Sequence, residues 1–138
     1  MEDFRAETYV ATYKLDDGML SCRIKPDQII DGRLAERITR ERLEVCKGEI
    51  FPTLIEIPGK YLLLENGGLQ FFGSEDGLKD TVALAIVMRS NIRTILTRFN
   101  FMFSKQRVPF RVFTSRSEAK LWLFGFMLDS EEASLPEV

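Results

Sequence analysis

Seven consecutive apolar residues, Val82-Ala83-Leu84-Ala85-Ile86-Val87-Met88, constrain the fold of this chain more than any other feature. The run does not alternate, so it offers no wet face and no dry face. Continuous apolarity over the length of a typical strand predicts a strand covered on both sides, as in the middle of a parallel sheet. It is also the longest apolar run in the chain, and it is too short to span a bilayer.

The segments around it predict what pairs with that strand and what covers it. Tyr9, Ala11 and Tyr13 alternate with Val10, Thr12 and Lys14, and Leu20, Cys22 and Ile24 alternate with Ser21 and Arg23. With Asp16-Asp17-Gly18 between them, this is a β-hairpin pattern. Asp31 is placed as the N-cap of a helix running to about Cys46, with Gly48 as its stop. Its apolar stripe is Leu34, Ala35, Ile38, Val45 and Cys46, and Glu36/Arg40, Arg37/Glu41 and Arg40/Glu44 are i,i+4 pairs on the wet side. Thr53 to Ile57 predicts a short strand ended by Pro58-Gly59. From Ser90 or Asn91 a second helix is expected, with Ile92, Ile95, Leu96, Phe99, Met102 and Phe103 at helical period. Phe110 to Phe113 is a brief strand, and Ser115-Arg116-Ser117-Glu118 has the spacing of a capping box that opens a last helix to about Leu128. Pro58 to Asp80 holds five glycines and is the least regular stretch, expected as a loop with a short helix near Leu69 to Phe72. A hairpin around Asn66-Gly67-Gly68 is the alternative.

The expected fold is α/β: one domain over residues 1–128, with a mixed, mostly parallel sheet of about five strands, an N-terminal β-hairpin and three to four helices. Residues 129–138 are expected to form a flexible tail. A chain of 138 residues buries enough surface to need neither disulfide nor metal. Cys22 and Cys46 are far apart and read as small buried hydrophobes.

Composition narrows the chemistry. The chain has no histidine, which removes nucleophile–histidine triads and the commonest acid–base group and metal ligand. It also lacks a Gly-rich phosphate loop, a dinucleotide fingerprint, a nucleophile elbow and a Cys-x-x-Cys pair. No enzyme activity, cofactor or metal is expected. Glu75, Asp76 and Asp80 lack the ligand spacing of a calcium loop. An acidic start at Glu2-Asp3 without an apolar leader fits a reducing cytoplasm and no membrane span. The net charge is only −2, yet no Asp or Glu occurs from Thr81 through Ser117. That stretch carries Arg89, Arg93, Arg98, Lys105, Arg107, Arg111 and Arg116, leaving −9 on the rest. Either these cations make an anion-attracting face or they pair with acids such as Glu36, Glu41 and Glu44. The acidic overall balance and the lack of a recognised motif argue against nucleic acid as partner.

Ala83-Leu84-Ala85-Ile86-Val87, Ser90, the helical pattern to Phe103, Pro109, and Phe113-Thr114-Ser115-Arg116-Ser117-Glu118-Ala119-Lys120-Leu121-Trp122-Leu123 together resemble SpoIIAA-like proteins of the STAS superfamily, in a small bacterial branch. The match is best over residues 81–123. The resemblance implies a four- or five-stranded sheet with helices, a binding module in place of an enzyme, and frequent self-association. Phospho-regulated members carry a switch serine or threonine after the third strand. Here that stretch reads Ile55-Glu56-Ile57-Pro58-Gly59-Lys60-Tyr61, and no Ser or Thr occurs between Thr53 and Ser74.

Two surfaces are candidates for recognition. The last helix is apolar on two sides, with Ala119, Trp122, Leu123 and Phe126 toward the sheet and Leu121, Phe124 and Leu128 opposite. Tail, hairpin or a second copy of the chain must cover the second side. With Phe101 in a secondary role, these residues form the expected homodimer interface; an unidentified protein partner is the other interaction the resemblance allows. Ligands of open α/β sheets sit beyond the carboxyl ends of the strands, which places Tyr61, Phe71, Phe72, Arg89, Asn91 and Arg93 at a candidate site for an apolar, anionic, lipid-like molecule. CRAL-TRIO lipid carriers share a comparable sheet by fold analogy alone. The alternative is that these aromatics fill the core.

Overall fold

The computed structural model describes residues 3–58, 64–89 and 108–134, the last seven by backbone alone. Six strands, β1 (Phe4–Glu7), β2 (Ala11–Asp16), β3 (Met19–Ile24), β4 (Phe51–Ile57), β5 (Thr81–Met88) and β6 (Phe110–Phe113), form one sheet in sequential order. β1, β2 and β3 pair antiparallel, and β3 to β6 pair in parallel. Among the described residues the helices are α1 (Gly32–Cys46), α2 (Asn66–Phe72) and α3 (Arg116–Ser134). The architecture is therefore α/β with a mixed sheet. The helix expected from Ser90 to Phe103 lies outside the described residues.

The strand read from continuous apolarity is β5, and from Ala83 to Met88 every residue is buried. Its alternate side chains enter two different cores. Leu84, Ile86 and Met88 meet Ile38, Ile55 and Phe72 on the α1/α2 side, while Ala83, Ala85 and Val87 meet Ala119 and Leu123 of α3. The hairpin β2–β3 turns at Asp17-Gly18, where both residues have positive φ (54° and 75°), the geometry that matches the strand twist in a two-residue loop. α1 starts where expected, with Asp31 Oδ1 accepting from the Leu34 N–H at 2.9 Å, and ends at Lys47 in the left-handed region, followed by Gly48. The irregular stretch carries α2 as a short helix, and the alternative hairpin does not form. Gly68 and Gly77 are required there, since a Cβ at either would run into backbone carbonyls of Ile30 and of Phe71, respectively.

Two boundaries differ from expectation. The sheet has six strands because Phe4–Glu7 pairs with β2, Phe4 facing Leu15. The intervening bend is held by Thr8 Oγ1, which accepts from the Val10 and Ala11 N–H groups. α3 continues through Ser134, six residues past the expected end at Leu128, so the backbone over 129–134 is helical. A register shift at Phe51/Thr53 surrounds Pro52, which has no N–H for the ladder.

Candidate anion-binding site

The parallel strands β4, β5 and β6 end side by side, at Ile57, Met88 and Phe113. Beyond those ends lies a cavity of about 490 Å³. Its apolar part is Ile57, Pro58, Val87 and Met88, the last residues of β4 and β5 and the proline after β4. Its polar part comes from Arg23 and Glu56 on the sheet, Arg89 after β5, and Thr114 and Arg116 around the start of α3. Three guanidinium groups thus face one carboxylate. Arg23 lies 3.6 Å from the Glu56 carboxylate, and Arg89 and Arg116 form no ion pair among the described residues. Arg116 is the first residue of a 19-residue helix, whose positive end adds to the field of the side chains. Chemically, the arrangement suits a phosphate-class or carboxylate group, because planar guanidinium donors fork onto such oxygens.

Of the residues singled out in the sequence, Arg89 lines this cavity. Phe72 is fully buried in the core under α1, and Phe71 packs against that core, so neither ring reaches the cavity. Tyr61, Asn91 and Arg93 lie outside the described residues, as does Phe101. On α3, Leu121 is 71% exposed and Phe124 is 39% exposed. Leu128 belongs to the same helix, and its side chain lies outside the described ones. Sequence reading missed Arg23, Thr114 and Arg116 as site residues. The signal was present for Arg23, an outward position in an alternating strand, and for Arg116, the start of a helix directly after a strand end.

A buried polar cluster lies on the other side of the sheet. The Tyr13 hydroxyl donates to Glu41 Oε1 (2.8 Å) and to the Ile38 carbonyl (3.3 Å). Burial raises the Tyr13 hydroxyl above its ordinary range, reinforced by Cys22 and Glu41. Burial likewise pushes the Cys22 thiol up to about 12, and raises Cys46, so both thiols stay protonated at neutral pH. Arg42, 1% exposed, donates from Nη2 to the carbonyls of Lys79 (2.7 Å) and Gly77 (3.2 Å). Burial lowers its pKa below the ordinary arginine value. This cluster ties α1 to the sheet and to the loop before β5. The one group of three or more possible metal-ligating side chains among the described residues is Asp3, Asp16 and Asp17, near the turn of the hairpin.

Among the described residues, no helix is long and apolar enough to cross a membrane. Comparison with curated proteins and with solved structures returns no match. A family model does match, over residues 13–127, which takes in the sheet from Tyr13 in β2 to β6, the three described helices up to Met127 and every residue of the cavity. The chain belongs to the family described as domain of unknown function DUF7793.

Proposed function

We propose that this chain is a non-catalytic regulatory binding module of the SpoIIAA-like, STAS kind, and that it recognises a small molecule carrying an anionic group and an apolar part. The observation that carries the reading is the convergence of Arg23, Arg89 and Arg116 on one cavity above an aliphatic floor. Its volume of about 490 Å³ is in the range of small-molecule sites. The α/β architecture is compatible with the SpoIIAA-like layout. The cavity offers guanidinium, carboxylate and hydroxyl groups that hydrogen-bond to an anionic ligand or its counter-groups. Octylphosphonate combines the two required chemistries. Titrated into isotopically labelled protein, it is expected to shift the backbone resonances of Arg89, Thr114 and Arg116 and to be recovered unchanged. Shifts confined to other surfaces, or none, contradict the reading.

A second reading, homodimerisation, is favoured by Leu121 and Phe124, which stand exposed on α3 one helical turn apart. A two-fold axis beside α3 would set this patch against its own copy, as isologous dimers require. Sedimentation equilibrium is expected to show a dimer that Leu121→Asp with Phe124→Asp converts to monomer. A monomeric wild-type chain at micromolar concentration rules it out.

A further inference from the structure

α3 packs on β4, β5 and β6, and the same face of the sheet continues beyond it over β1, β2 and β3. Past Met19, which packs into the core closed by α3, the outward side chains there are polar. Arg5 on β1 stands directly opposite Lys14 on β2, and Lys14 opposite Ser21 on β3; in the next row Glu7 stands opposite Thr12, Thr12 opposite Arg23, and Arg23 opposite Glu56, with Glu7 engaged by Lys25 at 3.1 Å. Like charges facing each other across a strand pair destabilise a sheet, so the Arg5/Lys14 pairing costs stability that a bound anion would return. Lys14 leans to Asp16 at 3.2 Å, with both side chains about half exposed, and such a surface pair is worth little and readily opened.

Arg5 and Lys14 border a second cavity of about 180 Å³. Arg23, Glu56 and Arg116 line both cavities, so the two form one groove leading from the carboxyl ends of β4 and β5 onto the half of the sheet that no described helix covers. Along it five cations, Arg5, Lys14, Arg23, Arg89 and Arg116, stand against the single lining carboxylate of Glu56. From the β5 end to β2 the groove crosses three strand spacings, roughly 14 Å.

We infer that the ligand carries two phosphate-class groups joined by an apolar linker, one held by Arg23, Arg89 and Arg116 beyond the strand ends and the other on the open sheet face against Arg5 and Lys14. This rests on the reading of the first cavity as an anion site and extends it to a second, spatially separate contact. The linker leaves the aliphatic part of the first cavity, at Ile57, Pro58, Val87 and Met88, and passes Arg23, which lines both halves of the groove. Joining the two anions makes the second contact intramolecular, so affinity rises without any new group in the first cavity.

The test is a calorimetric series of α,ω-alkane bisphosphonates of increasing linker length, compared with octylphosphonate. The expected result is an optimum linker length that binds at least about tenfold tighter than octylphosphonate. Arg5→Gln with Lys14→Gln should remove that gain while leaving octylphosphonate affinity unchanged, which also shows the variant is folded. If octylphosphonate binds but no bisphosphonate binds more tightly, or if the gain survives the double substitution, the second contact is overturned and the first cavity stands. If octylphosphonate itself does not bind, both readings fall together.

Discussion

Arg42, Tyr13 and Cys22 show how a single side chain can be polar, buried and still structural. Arg42 reaches from α1 to two carbonyls of the loop before β5, and Tyr13 ties β2 to α1 through Glu41. Both lie across the sheet from the arginine cavity. The neutral thiol of Cys22 has a measurable consequence. Below pH 9 the thiol is protonated in both folded and unfolded chains, and its contribution to stability is intact. Between pH 9 and about 12 the unfolded chain releases this proton while the folded one retains it, so stability falls as pH rises through that window. Tyr13 acts with the same sign from pH 10 upward. The slope attributable to Cys22 is at most about 1.4 kcal/mol per pH unit. Urea unfolding across the window is expected to show Cys22→Ala with a lower midpoint from lost packing and a shallower alkaline decline. An equally steep decline in the variant would assign it elsewhere.

At the scale of elements, α3 has two tasks. Trp122 stacks edge-on against Phe126 at 4.8 Å and tilts against Phe113 at 5.6 Å, closing the second core, while Leu121 and Phe124 face out. Gly125 sits in mid-helix with nothing within 4 Å of where a Cβ would be. Gly125→Ala should therefore stabilise the fold by about 0.5–1 kcal/mol, read as a raised unfolding midpoint, since it removes backbone entropy from the unfolded chain at no steric cost. A lowered midpoint would show that something covers that face. The elements themselves were largely legible. β5 stands out by length and apolarity, α1 by Asp31 and its stripe, and α2 by the need of a crossover between parallel strands to pass over the sheet face. β1 was not legible because four residues, Phe4-Arg5-Ala6-Glu7, alternate for too few positions to stand out. The buried Arg42 was missed for a different reason: it occupies the α1 stripe four residues after Ile38, and its partners are carbonyls that no side-chain pattern reveals.

For the whole molecule, the decisive feature is that, among the described residues, α1 and α2 cover one face of the sheet and α3 covers part of the other. Sequential strand order brings the ends of β4 and β5 to the start of α3, and that convergence puts Arg23, Arg89 and Arg116 in one cavity although they are scattered along the chain. The cation-rich stretch from Thr81 to Ser117 supplies two of them, Arg89 and Arg116, while Glu41, one of the acids proposed to neutralise it, is engaged by Arg37 at 3.3 Å. The aromatic residues expected beside Arg89 could not be placed from the sequence, because helical period alone does not tell whether Phe71 and Phe72 face a cavity or a core. Calorimetric titration of octylphosphonate into the wild-type chain and into the Arg89→Gln, Arg116→Gln variant tests the cavity most directly. Saturable one-to-one binding that weakens with added salt, and about tenfold or more in the variant, is the predicted result. Binding of equal strength in both proteins, or no binding to the wild type, would contradict it.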